Sequence, residues 1–413
     1  MKIRSITTFF HPGDPHTPLK DLAEDVHNLK NALIQQGVEV QTIRLATPPY
    51  TEWLPVELKE KIKAIQNLEE QAEQFGFNYL SIGPAGISDK ACAEEIPAIL
   101  QTTKNVFATA IIADQTSGVS FPAVKRAAVI IHQATTLTPD GFTNLRFAAL
   151  ANVPAGIPFF PAAYHSGTSP AFAIAMECAD TAVTAFQAAH TLEEARISLL
   201  TELESAAAKI QEIIAQHPGK LAVPFLGFDF SLAPFPEEET SLGRALEVLG
   251  VPRIGQSGSL AAAAFIADTL DQGTWLRSGF NGLMLPVLED AVLAKRSIEQ
   301  VLTLKDLLLY SAVCGVGLDT VPLAGNITHE ALYAILLDVA ALSTRLHKPL
   351  TARLMPVPGL SAGEKTHFDF EFFANGAALA VSSEPLQHLL SSSENLHLQP
   401  RAHHSTHWQT KSR

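Results

Sequence analysis

The N-terminal part of the chain alternates between two hydrophobic patterns. Continuous or alternating apolar residues, typical of buried strands, occur in IRSITTFF, VEVQTIRL, NYLSIG and VFATAIIA. Between them, apolar residues at helical spacing predict helices in PLKDLAEDVHNLKNALIQQG, PVELKEKIKAIQNLEEQAEQFG and AEEIPAILQTT. Gly37 is expected to end the first of these helices as its C-terminal cap. A repeated order of strand and helix predicts an α/β protein.

The rest of the chain is predicted to be richer in helix. The segment TLEEARISLLTELESAAAKIQEIIAQ opens with a capping box, in which Thr191 precedes Glu194 by three residues. Further helices are expected over residues 170–189, 239–249, 258–272, 291–313 and 329–347, and strands in LAVPFLGFDF and near residues 351–355 and 376–382. No linker of low complexity is visible before residue 385, so we predict a single α/β domain over residues 1–385.

The C-terminal segment, residues 386–413, differs in composition from the rest of the chain. It is polar, rich in Ser and His, and has no hydrophobic period, which predicts a disordered tail. His403, His404 and His407 lie in it. We interpret them as part of a solvated tail rather than as a metal site.

Charge and cysteine content limit the class of protein. The net charge is −13 and no basic cluster is long enough to follow a phosphate backbone, so neither nucleic acid nor an anionic membrane is an expected partner. No apolar run approaches the ~18 residues of a membrane span, and the N terminus lacks the pattern of a signal peptide. The widely spaced Cys92, Cys178 and Cys314 fit reduced thiols, so we expect a cytoplasmic protein.

The stretch CGVGLDTVP, residues 314–322, places a thiol, two glycines and a carboxylate close together. Gly315 and Gly317 allow a positive φ or a close approach of the backbone, so Cys314 and Asp319 could both point into a cavity. The motif is then an active-site loop, with Asp319 as a general base and Cys314 as a nucleophile. The alternative is a tight connection in which Asp319 caps a turn or a helix.

A second candidate region is GFTNLRFAALANVPAGIPFFPAAYHSG. Asn144 and Arg146 alternate with apolar residues on an expected strand and so share one face. If that face is internal, Arg146 can hold a carboxylate or phosphate in its two-pronged geometry; if it faces solvent, Arg146 has no such role. His165 is either a histidine hydrogen-bonded at the end of a loop or a ligand or acid/base group.

Three further segments carry polar residues in apolar surroundings. Asp229 lies between aromatic residues in GFDFSLAPFP and needs an arginine, a metal ion or backbone amides as a partner. In SGFNGLMLPVLED, Asn281 lies in a glycine-rich turn, and Glu289 and Asp290 precede a helix, where acids complement the helix dipole. Arg353, on a short strand before a loop rich in Pro and Gly that could cover a pocket, is expected to pair with Asp319 or Asp229 or to clamp an anion.

Known sequence motifs exclude some classes of enzyme. GVGLDT lacks the spacing and the lysine of a nucleotide-binding loop, and neither HExxH nor GxSxG occurs.

The chain resembles the uncharacterised UPF0210 (DUF711) family. Four segments carry the resemblance and occur in the same order as in the family: GFTNLRFAALANVPAGIPFFPAAYH, SGFNGLMLPVLED, AVCGVGLDTVPLAG and KPLTARLMPVPGLSAGE. The resemblance covers nearly the whole chain, to about residue 382. That resemblance implies a fold like that of the pyruvate formate-lyase type glycyl radical enzymes, a ten-stranded α/β barrel of two five-stranded halves, here with extra helices.

The resemblance also implies where the candidate residues lie. It brings Asn144, Arg146, Asp229, Asn281, Asp319 and Arg353 toward one interior. Radical chemistry is not implied, because the glycine loop that such enzymes need near the C terminus is missing, and fold is not function.

Two functions therefore remain open. The first is an enzyme acting on a small anionic metabolite, with Arg146 and Arg353, helped by Asn144, Asn281 and His165, holding the substrate. In that case Asp319 or Asp229 would act as the general base, or Asp319, Asp229 and Glu289 would hold a divalent cation, Mg²⁺ or Ca²⁺. The second is a sensor that binds a metabolite and signals through a homo-oligomer interface, with an ACT-domain protein as partner, because the family is often encoded beside one. We expect the enzyme.

Overall fold

A single large sheet organises the chain. In the computed structural model, which describes residues 1–381 and 384–400, eleven strands form one sheet. The strands are β1 (Lys2–Phe9), β2 (Val40–Ala46), β3 (Tyr79–Ala85), β4 (Val106–Asp114), β5 (Gly118–Ser120), β6 (Phe147–Ala151), β7 (Ala171–Glu177), β8 (Phe225–Ala233), β9 (Gly317–Ala324), β10 (Leu350–Val357) and β11 (Asn395–Leu396).

The order of the strands divides the sheet into blocks of opposite direction. The main path is β8-β7-β1-β2-β3-β4-β6-β10-β9. Strands β1, β2, β3, β4 and β6 are parallel to one another. At one side β7 is antiparallel to β1 and parallel to β8, and at the other β10 is antiparallel to β6 and parallel to β9. The α/β class predicted from the sequence is therefore confirmed.

Residues 275–288 contact both ends of this path. Arg277 forms a parallel bridge with Phe228 of β8, and Pro286 forms one with Asp319 of β9. Backbone hydrogen bonds reinforce both contacts, from Met284 N to the Ser231 carbonyl and from Val287 N to the Asp319 carbonyl. The segment therefore links the two outermost strands of the path.

Helices cover one face of the sheet. They are α1 (Leu19–Gln35), α2 (Tyr50–Trp53), α3 (Leu58–Gln74), α4 (Cys92–Thr102), α5 (Phe121–Ala134), α6 (Ala179–Ala188), α7 (Leu192–Gln216), α8 (Leu242–Val248), α9 (Ser259–Asp271), α10 (Ala291–Ile298), α11 (Leu304–Tyr310) and α12 (His329–Leu346). Alternate strand residues such as Ile43, Leu80 and Ile174 join the core beneath these helices. In the described residues, no helix is both long and apolar enough to cross a membrane.

The other face of the sheet, called here the cavity face, is defined by the opposite residues of the same strands. It contains Phe9, Ala46, Phe107 and Ala173. The crossing segment, residues 153–165, lies over this face. It is held by hydrogen bonds from Thr7 Oγ1, Ser81 Oγ and Ser278 Oγ to its backbone carbonyls. The crossing segment therefore fills part of the space in front of the sheet and leaves the rest as a cavity.

Several predicted elements need correction. Residues 170–189 are strand β7 followed by helix α6 rather than one helix, because the small apolar residues of AFAIAME fit a buried strand as well as a helix. The predicted helix over residues 291–313 is two helices. Residues 142–146 form a 3₁₀-helix rather than a strand, and residues 376–381 make only isolated bridges.

The prediction of a disordered tail from residue 386 is also wrong where the structure describes it. Strand β11 pairs antiparallel with β5. Lys125 Nζ donates hydrogen bonds to the carbonyls of Ser391 and Ser392, and the Tyr333 hydroxyl donates one to Leu390. The tail folds because it completes the edge of β5. His403, His404 and His407 lie outside the described residues.

Gly317, in the CGVGLDTVP motif, has the conformation and the crowding expected of an obligatory glycine. Its φ is +104°, and a Cβ there would lie 2.3 Å from the Thr351 carbonyl oxygen of the paired strand β10. Gly315 packs closely against the backbone of Gly282, whose Cα would lie 2.9 Å from an added Cβ. The glycines of the motif thus permit close backbone contact at β9, as the sequence suggested.

Gly317→Ala is expected to destabilise the fold by at least ~2 kcal/mol more than Gly359→Ala. Gly359 also has a positive φ, +79°, but has free space where its Cβ would lie, so the comparison separates crowding from backbone strain. Urea unfolding of both variants measures the difference. If both variants lose the same free energy of unfolding, strand β10 can move away from the added methyl group at no energetic cost.

Candidate functional site

A cavity lies on the cavity face, near the N-terminal ends of β1, β2, β3 and β4. The space between its walls, including its mouth, is about 770 Å³, and the centres of water-sized molecules can occupy about 70 Å³ of it. That room suits a small ligand or a few water molecules. Its charged, hydroxyl-bearing and aromatic lining residues include Arg4, Arg44, Tyr79, Phe107, Phe159, Phe160, Asp229, Ser231, Glu289, Arg353, Phe370 and Phe372.

Five buried or nearly buried side chains form an ion-pair chain beside the cavity. Arg353 donates from Nε to Asp319 Oδ1 (2.6 Å) and from Nη2 to Glu289 Oε1 (2.9 Å). The other oxygen of Glu289 accepts a hydrogen bond from Arg4, whose Nη1 lies 3.4 Å from Glu177 Oε2. Glu289 therefore bridges two arginines, and each arginine has a second carboxylate.

Asp319 is the most deeply buried member of this chain. Its side chain is fully buried, it does not line the cavity, and its Oδ2 has no hydrogen-bond partner in the described chain. Burial raises the pKa of Asp319 above its usual value, while the charge of Arg353 opposes the rise. Arg353 therefore pairs with Asp319, as one of the alternatives predicted from the sequence. Asp319 serves in this arrangement to hold Arg353 in place.

Arg44, on β2, differs from the other two arginines of the cavity. Its Nε donates to Thr42 Oγ1 at 3.0 Å, and its guanidinium lies over the rings of Tyr79 and Phe160, 5.6 and 5.2 Å from their centroids. Within residues 1–381 and 384–400, no carboxylate lies within 4 Å of it. Arg44 therefore presents an unpaired cation to the cavity.

Burial, together with the charge of nearby Arg4, lowers the pKa of Arg44 to about 9. The side chain still keeps some exposed surface, because it faces the cavity. At neutral pH the guanidinium carries its charge, and the environment disfavours that charge. An anion in the cavity would remove this penalty.

Aromatic residues form the remaining walls. Phe107 makes edge-to-face contacts with Tyr79 and with Phe160, at 5.3 and 5.4 Å between centroids. Phe370 and Phe372, which contact each other at 5.2 Å, come from the loop after β10 that was expected to cover a pocket. The cavity therefore combines charged arginine and carboxylate side chains with walls that are mainly aromatic.

Two of the predicted polar residues hold a turn next to the cavity. Asp229 Oδ1 accepts hydrogen bonds from the Ser231 amide and hydroxyl and from the Asn281 amide, and its Oδ2 accepts one from the Phe280 amide. Burial raises the pKa of Asp229, and these donors oppose the rise. Asn281 Oδ1 in turn accepts from Phe230 N and Trp275 Nε1. Backbone amides are therefore the partner that Asp229 was predicted to need.

Arg146 and Asn144 have positions that differ from those expected. The guanidinium of Arg146 donates to the carbonyls of Leu100 and Thr103, at the end of α4, and does not line the cavity. The side-chain amide of Asn144 lies 2.9 Å from Thr135 Oγ1, at the end of α5. Both residues close helix ends because they lie on a 3₁₀-helix instead of a strand.

His165, Cys314 and Asp290 also lie away from the cavity lining. His165 stacks on Phe9, and burial lowers its pKa, with His11 adding to the effect. Cys314 is buried. Asp290 caps α10 by accepting from Val292 N and Leu293 N, as predicted, whereas Glu289 does not cap the helix and pairs with arginines.

The predicted metal ligands do not fit a cation. Among the residues that the structure describes, no group of three or more His, Cys, Asp or Glu side chains is arranged to hold a metal ion. Glu289 and Asp319 are each paired with Arg353, and Asp229 is occupied by hydrogen-bond donors. Oxygen ligands that are already neutralised in this way are poor sites for Mg²⁺ or Ca²⁺.

Sequence reasoning missed Arg4, Arg44 and Tyr79. The three cavity arginines share a signal: each is a single cation inside a strand, in KIRSI, TIRLA and TARLM. Lone arginines at inward positions of buried strands are rare unless paired. Arg353 is flanked by a loop rich in Pro and Gly, whereas Arg4 and Arg44 lie in strands whose apolar pattern hides the single cation.

The fold and site define an α/β protein with a buried cavity lined by arginine and aromatic residues. The chain belongs to the family described as "Uncharacterised ACR (DUF711)", whose model matches residues 1–375. It is 32% identical over 362 residues to a UPF0210 protein of Pyrobaculum aerophilum, covering 84% of this chain and 79% of that one. A UPF0210 protein of Methanopyrus kandleri is 29% identical over 382 residues, covering 86% and 84%. The family resemblance noted in the sequence is thereby confirmed.

Proposed function

We propose that the protein binds a small anionic metabolite in the cavity, with Arg44 as the group that holds its negative charge. The observation that carries this proposal is a partly buried guanidinium that faces the cavity without a carboxylate partner in the described chain, next to two arginines that are both paired. A buried cation is costly unless an opposite charge accompanies it. A ligand anion supplies that charge.

The proposal includes a closed barrel around this site, as in the pyruvate formate-lyase type fold. Its support is the contact of residues 275–288 with both β8 and β9, the outer strands of the path. The five parallel strands and the four of opposite direction would then make up the two halves, with residues 275–288 as the tenth strand. A closed sheet also avoids two exposed edges.

A thermal-shift screen tests the binding function. Wild-type protein and Arg44→Gln are heated with keto acids, amino acids, sugar phosphates and divalent metal salts. At ~100 times its Kd, a ligand adds about 2.7 kcal/mol to the stability. We expect at least one anion to raise the Tm of the wild type but not that of Arg44→Gln. The proposal fails if no anion raises the Tm, or if the two proteins respond equally.

The pH dependence of binding follows from Arg44. Its pKa in the free protein is lowered to about 9, and a bound anion raises it, so above about pH 9 the anion must bring a proton with it. We expect affinity to be constant near neutral pH and about tenfold weaker per unit above pH 9. Calorimetric titration with a carboxylate that stays ionised throughout measures this. Constant affinity to pH 10 would contradict a role for Arg44.

An enzyme is the second candidate function. It is favoured by one observation: Tyr79 lines the cavity beside Arg44, and its hydroxyl has no hydrogen-bond partner in the part of the chain described. Such a hydroxyl can exchange a proton with a bound ligand. We expect an enzyme of this kind to catalyse deuterium exchange next to the carbonyl of a 2-keto acid, seen by NMR in D₂O.

Tyr79→Phe should slow that exchange by ~10²-fold or more while leaving the affinity within a few fold. Absence of exchange in the wild type would leave binding as the function. Exchange that is unchanged in Tyr79→Phe would exclude Tyr79 as the proton carrier.

A further inference from the structure

We infer that the ligand is a carboxylate monoanion attached to a flat, unsaturated body, and that it carries no ammonium group. This inference rests on the proposed function, because it assumes that an anion occupies the cavity beside Arg44. It names the chemical class of that anion from four features of the walls.

The free edge of Arg44 indicates a carboxylate. Its Nε is used by Thr42, and its guanidinium lies over the rings of Tyr79 and Phe160. The two Nη groups have no partner in residues 1–381 or 384–400. They form a planar fork, and the two oxygens of a carboxylate match that fork with two parallel hydrogen bonds.

The number of unpaired cavity arginines indicates that the ligand carries a single negative charge. Arg4 is paired with Glu289 and Glu177, and Arg353 is paired with Glu289 and Asp319. Arg44 is the one cavity arginine that has no carboxylate of the described chain within 4 Å. A dianionic phosphate would lose the hydration of both its negative charges on binding, and only one of them would gain an arginine partner.

The aromatic walls indicate a flat, unsaturated body. Tyr79, Phe107 and Phe160 form a continuous edge-to-face row next to Arg44, and Phe159, Phe370 and Phe372 also line the space. A ring placed between these walls can add offset or edge-to-face contacts to simple apolar burial. A short aliphatic acid would leave most of this surface uncovered.

The carboxylates of the cavity are not available for an ammonium group. Each oxygen of Glu289 accepts from an arginine. Asp229 Oδ1 accepts hydrogen bonds from three donors, and its Oδ2 accepts one from the Phe280 backbone amide. The backbone of Gly279 also crowds Oδ2, because a Cβ added at Gly279 would lie 2.3 Å from it. A ligand ammonium would therefore lose its water without gaining a carboxylate oxygen that is free of other donors, which selects against α-amino acids.

Calorimetric titration with four matched probes tests the inference. Phenylacetate has the ring and the carboxylate, phenylalanine adds an ammonium group, acetate lacks the ring, and phenyl phosphate replaces the carboxylate by a dianion. We expect phenylacetate to bind ~100-fold more tightly than phenylalanine and at least ~10-fold more tightly than acetate or phenyl phosphate. Arg44→Gln should abolish the binding of phenylacetate, and the surface variant Arg253→Gln should not change it.

The outcomes separate this inference from the proposed function. If phenylalanine, acetate or phenyl phosphate binds as tightly as phenylacetate, and Arg44→Gln still abolishes binding, the ligand class is wrong but the anion site stands. The same holds if the thermal screen finds an Arg44-dependent anion while phenylacetate does not bind. If no probe and no screened anion depends on Arg44, both proposals fail.

Discussion

Replacing Glu289 by glutamine is expected to lower the free energy of unfolding by about 3–5 kcal/mol. Glu289 is buried and gives one oxygen to Arg4 and the other to Arg353. The amide of glutamine keeps the shape but removes the charge and turns one acceptor into a donor that faces an arginine. Arg4 and Arg353 would then lose the carboxylate that bridges them. Chemical unfolding of the purified variant measures the loss.

Glu299→Gln is the matched control for this prediction. Glu299 also pairs with an arginine, Arg296, but it lies at a helix end with its side chain 31% exposed. Solvent screens such a pair, so the control should lose about 1 kcal/mol or less. A loss in Glu289→Gln no larger than that of the control would mean that the ion-pair chain does not organise the cavity.

Arg44→Gln is expected to act in the opposite direction on stability while removing function. The folded protein holds the pKa of Arg44 at about 9, below the value of an exposed arginine. The charged form therefore costs the folded state free energy below pH 9, and that cost disappears as the pH rises from 9 toward the unfolded value. After subtraction of the lost ring contacts, we expect the variant to be ~1 kcal/mol more stable at pH 7.

The same variant should bind the anion at least ~100-fold more weakly, because it removes the cation that pairs with the anion inside the cavity. Arg253→Gln, at an arginine whose side chain is 49% exposed, is expected to change neither stability nor binding by a measurable amount. A variant Arg44→Gln that is strongly destabilised would show that Arg44 is a structural residue rather than a ligand-binding one.

Local sequence signals predicted most of the elements correctly. The helix ending before Gly37, the capped helix that starts after Thr191, and strands β1 to β4 follow from hydrophobic period and caps. The errors occurred where two structures share one pattern. AFAIAME is short and apolar enough for strand or helix, and its place beside β1 is decided by pairing with a strand far away in sequence.

The site was harder to predict, because it depends on contacts between distant strands. The pairing of Arg353 with Asp319 could be proposed, since a buried arginine needs an acid. The bridging role of Glu289 could not, because it requires knowing that Arg4 lies on the other side of the same carboxylate. Arg44 is defined by the absence of a nearby acid, which only the fold of the described residues displays.

A crystal structure of the wild-type protein with 4-iodophenylacetate would test the central claim most directly, since iodine scatters anomalously and marks the position of the ring. We predict an iodine peak inside the cavity, with the carboxylate oxygens within hydrogen-bond distance of the Nη atoms of Arg44. An iodine peak elsewhere on the protein, with the fork of Arg44 bonded to a protein carboxylate instead, would contradict the proposal that this cavity is an anion site.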